Sequence, residues 1–559
     1  MKDALPAPSI PQVTLADFER RAPRLIHAAV DHWTWVRPND PVIVNATRGS
    51  RITWGELQRG SLALAAELER MGLRKGDVLA ASLPLLDEHI LLEFACLRLG
   101  VIHAPLDLRL QPGEVLRCLG LARARAYAFP GKLAGADFAA LGEAARQSCP
   151  SIERLIQFSA PADCIPAAES FAALMARAAS DPAPVHAGIS EQDPAQAIFT
   201  TGSTGSPKPA LLSHRGILCQ NLCLGRAFEF AGGKVLCNLP ASHVGGQAEI
   251  LLTTLYWGAT AITLEVFDAV KSLDAIERHG VTLIGQIPAM FQMEWRTGDY
   301  ANRQLGSLRH AVYGGQAAPR AFLDQMLRMA PRIATGLGLT EASGFCTYTP
   351  LAANADSVAG GVGWSMPAYP LSIRAPMCAD GSAGAELPEG QTGHVCFRGP
   401  QNFLGYLNDP AATAEALSSD GWLYTGDMGA IGERGLRLAG RAKWVVKTAG
   451  YLLYPGDIEA HIAALADQVA NVGVVGQPHA RWGEALVAFV EKRPGADLSE
   501  PALRRHARGI ASYMRPLHYV ILEPGAMPLN RTAKVDIVRL QKWAAEEVQK
   551  LRARGRWDG

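Results

Sequence analysis

Residues 197–216 read AIFTTGSTGSPKPALLSHRG, a short apolar run that suits a buried strand and empties into a loop. From Thr200 to Pro209 that loop holds three threonines, two glycines, two serines, two prolines and Lys208. Glycines let backbone N–H groups come close to an anion, hydroxyls add donors and the lysine adds positive charge. Thr200, Thr201, Gly202, Ser203, Thr204, Gly205 and Lys208 therefore form a candidate cradle for the polyphosphate of a nucleotide. Alone, the same composition also describes a surface loop of small residues. It is not a GxxxxGK[ST] loop, because Pro207 and Pro209 flank the lysine. Gly336 and Gly338 likewise fail as a dinucleotide fingerprint, since Glu341 stands in place of the third glycine.

Strand-like runs alternate with amphipathic helices on both sides of this unit. SLALAAELER (61–70) puts leucines and alanines on one helical face, and KGDVLAASLP (75–84) reads as a turn feeding a short strand. The alternation runs to about residue 440 and predicts α/β layering with βαβ crossovers. The stretch 131–184, rich in Ala, Pro and Ser, is expected to cover the surface. Beyond Gly440 a helix over 455–465, the strands NVGVVG (471–476) and ALVAFVEK (485–492), a helix over 501–508 and the strand HYVILE (518–523) make a smaller α+β set. The expected fold is α/β: a large multi-layer N-terminal domain, 1–440, and a small, mobile α+β C-terminal lid, 441–559, joined by a Gly/Arg/Lys junction suited to a hinge.

Composition excludes several classes of function. The 559 residues carry 54 Lys plus Arg against 53 Asp plus Glu, a net charge of +1, which gives no electrostatic reason to expect nucleic acid or an acidic membrane as partner. A hydrophobic fraction of 48% with 19% charged residues is ordinary for a globular enzyme. Ten cysteines include no CxxC pair, and Cys219 and Cys223, one helical turn apart, read as two small apolar side chains. The opening MKDALPAPSIPQ has prolines where a signal peptide needs an apolar core, and no segment has the roughly 18 apolar residues of a spanning helix. A reducing, cytoplasmic setting is expected, and a homodimer is left open.

Four further segments join the loop TTGSTGSPKP (200–209): TGLGLTEASG (335–344), YTGD (424–427), GRAKWVVKTAGYLLYPGDIE (440–459) and PLNRTAKVD (528–536). In order and spacing they resemble the motifs of the acyl-adenylate-forming superfamily, which includes acyl- and aryl-CoA ligases, peptide synthetase adenylation domains and beetle luciferases. The resemblance covers the chain from about residue 40 to its end. It implies ATP-dependent activation of a carboxylic acid to an acyl-AMP, with release of pyrophosphate, then transfer to the thiol of coenzyme A. ATP, Mg2+ and CoA are the implied cofactors. Lys534 is implied as the lysine that bridges carboxylate and phosphate, Glu341 as the magnesium ligand next to Thr340, Asp427 as acceptor of both ribose hydroxyls, and Arg441 as a nucleotide contact. Gly314, Gly315 and Gln316 fall in the adenine-contacting loop, and Lys447 and Gly450 in the lid motif, where the backbone near Gly450 lines a channel for the phosphopantetheine arm. Lys443 matches the hinge about which the lid turns. In isolation Glu341 would read as a helix N-terminal glutamate, Asp427 as the cap of a tight turn, and Arg441 and Lys534 as solvated surface charges. Leu337, Pro209, Ala533 and Asp457 depart from the family pattern and put nucleotide affinity and lid geometry in question more than reaction type.

The segment 238–264 corresponds to the start of the acyl pocket. Amino-acid-activating relatives carry an aspartate there; this chain has Ala241, Ser242, His243, Val244 and Gly245, with Glu249 several residues on. A non-amino acid is favoured, with His243 matching the gate of aryl- and fatty-acyl-activating members. Gly338, Val244, Gly245, Gln247, Ile287, Met290 and Phe291 complete the expected pocket for an apolar or aromatic acid. RWGEALVAFVEK (481–492) resembles the lid of free-standing CoA ligases. An acyl carrier protein as acceptor, and a nucleotide- or acyl-binding protein without turnover, are the alternatives.

Overall fold

Thr53 starts the helix Trp54–Arg70 with a capping box, its side chain accepting from the Glu56 N–H while the Glu56 carboxylate accepts from the Thr53 N–H. Leu57, Leu64 and Leu68 are fully buried on its inner face, each worth roughly 1.5–3 kcal/mol of apolar burial. The helix packs on Asp87–Leu99 and ends before Gly72, whose φ of +96° suits glycine. A computed structural model describes residues 10–133, 136–180, 188–200, 207–448, 451–530 and 534–558 of the chain.

Among the described residues two large, mostly parallel sheets form the bulk of the molecule. An eight-stranded sheet runs in the order Gly405–Tyr406, Lys208–Ser213, Pro194–Thr200, Ile102–Pro105, Val78–Ala81, Ala126–Pro130, Arg154–Phe158 and Ala168–Ser170. A seven-stranded sheet runs Arg332–Thr335, His310–Tyr313, Leu283–Gln286, Lys234–Cys237, Thr260–Thr263, Pro41–Asn45 and Arg51–Thr53. Buried strands such as VLAA (78–81) and LIGQ (283–286) are covered on both faces, as expected for parallel sheets clothed by helices. A four-stranded antiparallel sheet, Leu371–Arg374, Gly393–Phe397, Leu423–Gly432 and Gly435–Arg441, then leads to the C-terminal segment.

The strands Val446–Thr448, Tyr451–Leu453, Val469–His479, Gly483–Lys492 and His518–Leu522 build a sheet of their own. One apolar cluster packs Ile458, Ile462 and Leu503 against Val474 and Ala488; a second packs Leu540, Ala544 and Val548 of the helix Ile537–Ala553 against Val475 and Val487. Successive residues of the strands thus feed two cores, the period-2 consequence of pleating.

The stretch 131–184 departs from its surface expectation. Arg154–Phe158 is an inner strand of the eight-stranded sheet, and Leu141, Ala145, Leu155, Ile156, Phe171 and Leu174 are buried. Alanine-rich helices can lie close to a sheet, so a composition that resembles a loop instead supplies a cover layer.

Candidate active site

The strand ends of the two large sheets set the site. Pro194–Thr200 pairs antiparallel with Lys208–Ser213, so Thr200 sits opposite Lys208 and its hydroxyl donates to the Lys208 carbonyl at 3.4 Å. Thr201, Gly202, Ser203, Thr204 and Gly205 lie outside the described residues. Ser213 caps the following helix, His214–Ala227, through the Gly216 N–H. Gly405–Tyr406 adds antiparallel to the edge at Ala210 and Leu211, which brings the Tyr406 ring beneath the Lys208 ammonium, 5.2 Å from its centroid. The Tyr406 hydroxyl donates to Glu341 Oε1 at 2.6 Å. Glu341 itself lies in the 3-10 turn Thr340–Ala342, whose backbone is tied by Phe403 N–H donating to the Glu341 carbonyl at 2.8 Å. Burial and the charge of Glu341 hold the Tyr406 phenol above its ordinary pKa, so it remains a donor.

Asp427 lies within the strand Leu423–Gly432, not at a turn. Pairing with Gly393–Phe397 shifts register between Cys396–Tyr424 and His394–Met428, and Gly426 takes φ +76°. This bulge turns the Asp427 carboxylate inward, where Oδ1 meets Arg441 Nε at 3.0 Å, across from it in the adjoining strand. Burial raises the Asp427 pKa, Glu341 adds to the rise, and Arg441 and Lys534 oppose it. Arg441 also donates from Nη1 to the Thr425 carbonyl at 3.1 Å.

Lys534 reaches the same cleft from the C-terminal segment. A bridge between Leu529 and Val535, with Asn530 N–H donating to the Lys534 carbonyl and Lys534 N–H to Asn530 Oδ1, holds it at the tip of a loop. Its side chain lines a cleft with Ile287, Gly314, Gly315 and Gln316, and Lys534 Cε is 3.7 Å from where a Cβ on Gly315 would stand. Lys534 keeps surface open to the cleft, yet desolvation and then Arg441 draw its pKa down, while Asp427 and Glu249 pull it up. The His243 Nδ1 accepts from the Gly245 N–H at 3.0 Å, so the neutral ring carries its proton on Nε2. The ring is exposed, and partial desolvation beside Lys534 draws its pKa below the ordinary value. Glu341, Asp427, Arg441, Lys534 and His243 therefore share one electrostatic environment.

Other expected residues lie elsewhere. Lys447 is exposed on Val446–Thr448, its N–H donating to Glu484 Oε2 at 2.7 Å, and is not among the groups that perturb the cleft. Lys443 sits in the 3-10 turn Ala442–Trp444 over the Trp444 ring. Gly450 is outside the described residues. Phe291, expected in the acyl pocket, is fully buried in the core against Phe322 and Trp295, because only one face of the helix Pro288–Trp295 meets the cleft.

The profile of the AMP-binding enzyme family matches residues 30–407, and that of the AMP-binding enzyme C-terminal domain matches residues 457–534. The chain belongs to the AMP-binding enzyme family. It is 30% identical, over 93% of its length and 99% of the relative, to a 3-[(3aS,4S,7aS)-7a-methyl-1,5-dioxo-octahydro-1H-inden-4-yl]propanoyl:CoA ligase of Mycobacterium tuberculosis. It is 33% identical, over 82% of its length and 85% of the relative, to an indoleacetate–CoA ligase of Aromatoleum aromaticum. Among solved structures, ATP-bound MatB of Rhodopseudomonas palustris superposes with a TM-score of 0.78 at 25% identity, covering 93% of this chain and 98% of that one.

The segment expected at the start of the acyl pocket contains a π-helix, Gly245–Leu252. There Glu249 N–H donates to the Val244 carbonyl five residues back, widening the turn. Val244 and Gln247 are buried, Ile287 lines the Lys534 cleft, and Gly338 is half-buried against Glu249 and Phe345. Sequence reasoning passed over three groups. Tyr406 has no local signal and becomes functional only by strand pairing. Phe345 lies under Gly314, Gly336 and Gly338, its ring 2.8–3.5 Å from where their Cβ atoms would stand. Glu249, set aside for its distance from His243, comes within 3.3 Å of a Cβ position on Gly245 and 2.8 Å of one on Gly338.

No helix among the described residues is long and apolar enough to cross a membrane.

Proposed function

We propose that this AMP-binding enzyme joins a small apolar or aromatic carboxylic acid to ATP and passes the acyl group to CoA. A carboxylate oxygen attacks the α-phosphorus, the bond to the β-phosphate breaks and pyrophosphate leaves. The CoA sulfur then attacks the acyl carbon, its thiol proton is released and AMP departs. The observation that carries this reading is that Lys534, from the C-terminal segment, lines a cleft with Ile287, Gly314, Gly315 and Gln316, within electrostatic reach of the Asp427–Arg441 pair. A preorganised cation there offsets the repulsion of two anions that must bond.

The residues take roles their surroundings support. Asp427, inward-facing on its bulge, accepts from the ribose hydroxyls; Arg441 positions it and meets the nucleotide. Lys208 and Thr200 serve the phosphates, a role the resemblance extends to residues 201–205, and Gly314, Gly315 and Gln316 edge the adenine. Glu341, oriented by Tyr406, suits Mg2+, a hard ion commonly held by one or two carboxylates plus substrate phosphates. Such an ion, when bound, supplies neutralisation of phosphate charge. His243, uncharged, gates an apolar pocket bordered by Ile287 and Gly338. Residues 441–559 act as a lid that turns at Lys443, withdrawing Lys534 and presenting Lys447 and Gly450 to the thiol arm. An aromatic body for the acid draws support from the likeness to the indoleacetate ligase. Ten cysteines with no disulfide among the described residues suit a cytoplasmic setting.

A panel of carboxylic acids with ATP, Mg2+ and CoA, read by thioester mass, tests the reading. A CoA thioester of at least one acid is expected. Pyrophosphate release without a thioester would move the acceptor to a carrier protein, and no acid-dependent pyrophosphate would overturn the ligase reading.

A further inference from the structure

The acyl pocket contains a carboxyl that the reaction as described does not use. Glu249 is 9% exposed, and the influences on it are burial and the charge of Lys534, with no hydrogen bond to either oxygen among the described residues. A carboxyl removed from water without a partner is costly, so such groups are retained where something else completes them. Three glycines make room for this side chain: Glu249 Oε1 stands 2.8 Å from a Cβ position on Gly338, Oε2 3.3 Å from one on Gly245, and Cγ 2.7 Å from one on Gly344, so a methyl group on Gly338 or Gly344 would collide with it. Beside Gly344 the Gln220 side chain approaches to 3.2 Å of the same position, and Gln220 Nε2 has no partner among the described residues. These glycines belong to the segments that carry His243 and Glu341, which places the carboxyl at the reacting end of the pocket.

We propose, resting on the ligase reading above, that Glu249 is a specificity-determining residue that selects acids bearing a hydrogen-bond donor, a hydroxyl or a protonated amine, close to the carboxylate on an otherwise apolar body. The pocket is then polar at one wall and apolar elsewhere. Burial pushes the Glu249 pKa up to about 8, so near neutrality it holds its proton and can both accept from and donate to a hydroxyl; an ammonium would instead ionise it.

The probes are 3-phenylpropanoate and its 2- and 3-hydroxy and 2- and 3-amino derivatives, compared by acid-dependent ATP–pyrophosphate exchange in wild type, Glu249→Gln and Glu249→Leu. Wild type is expected to favour at least one donor-bearing acid over the parent by about 100-fold or more in kcat/KM, since sites built to hydrogen-bond a group reject analogues lacking it. Glu249→Leu should bring that ratio to near one. The isosteric Glu249→Gln, which guards against a folding failure of the leucine variant, should retain the preference if the donor is a hydroxyl and lose it if the donor is an amine. Equal use of parent and derivatives by wild type, or a preference that survives in Glu249→Leu, would overturn the assignment while leaving the ligase reading intact. Absence of exchange with every acid would instead remove the ligase reading, and this inference with it.

Discussion

The Tyr406 hydroxyl donates a 2.6 Å hydrogen bond to Glu341, although 64 residues separate them and they meet only because Gly405–Tyr406 completes the edge of the eight-stranded sheet. One side chain thereby orients the carboxylate assigned to magnesium and lies under the lysine assigned to phosphate. Removing the hydroxyl should leave Glu341 free to rotate. Tyr406→Phe is expected to raise the Mg2+ concentration for half-maximal adenylation by about 10–100-fold, the range typical for loss of a group that orients a metal ligand. Metal titration of acid-dependent pyrophosphate exchange checks this; an unchanged midpoint would leave Tyr406 a packing residue.

Desolvation in the cleft and Arg441 lower the pKa of Lys534, while the carboxylate of Asp427 opposes them. A cation held in place before reaction needs no rearrangement at the transition state. Lys534→Ala should slow adenylation by at least about 100- to 1,000-fold, the cost of losing one preorganised electrostatic stabiliser. Thioester formation from a supplied acyl-adenylate should fall much less, since the lid withdraws this residue for that step. Exchange at the wild-type rate would remove Lys534 from the mechanism.

Lys443 occupies the short 3-10 turn between the four-stranded sheet and the lid strands. In the arrangement described, Lys534 already lines the cleft, so fixing the turn should favour the first half-reaction. Lys443→Pro locks φ and removes a backbone donor. It is expected to keep adenylation within about threefold of wild type and to cut thioester formation by about tenfold or more, as hinge changes alter gating and not chemistry. Equal loss of both steps, by pyrophosphate exchange and thioester mass, would contradict the hinge.

What the sequence could not disclose follows from the same geometry. The strand ending at Thr200 and the lid elements were legible because periodicity is local. The Ala-rich stretch 136–180 was not, because alanine in a close-packed helix layer and alanine in a loop look alike without the sheet beneath. Tyr406 meets Glu341 through strand pairing, which leaves no mark in either segment. Glu249 was passed over because it lies several residues beyond His243 in the sequence, and the wider turn of Gly245–Leu252 leaves no mark there. Phe291 erred the other way, an apolar residue near the cleft whose helix turns it into the core.

The buried acids also set the dependence of stability on pH. Glu93, fully buried on the helix Asp87–Leu99, accepts from Gln196 Nε2 at 2.7 Å through one oxygen, with Gln247 also nearby. Burial pushes its pKa from 4.5 up to about 8. A carboxyl raised on folding binds more protons in the native than in the unfolded state between those values, so its contribution to stability is intact below about 4.5 and declines as pH rises to about 8. Glu249 and Glu294, also raised to about 8, act in the same direction. His27, His89 and His214, lowered to about 4, 4 and 3 from 6.5, act oppositely, stability rising with pH until the unfolded imidazoles lose their protons near 6.5. Between pH 6.5 and 8 the carboxyl effect is therefore left largely unopposed by these histidines. Glu93→Gln keeps the shape and removes one such titration, each worth at most about 1.4 kcal/mol per pH unit. Wild-type thermal midpoints should fall from pH 6.5 to 8, and the variant's fall should be smaller by about 2 °C. Parallel midpoint curves for the two proteins would show that Glu93 titrates at its ordinary pKa in the folded chain.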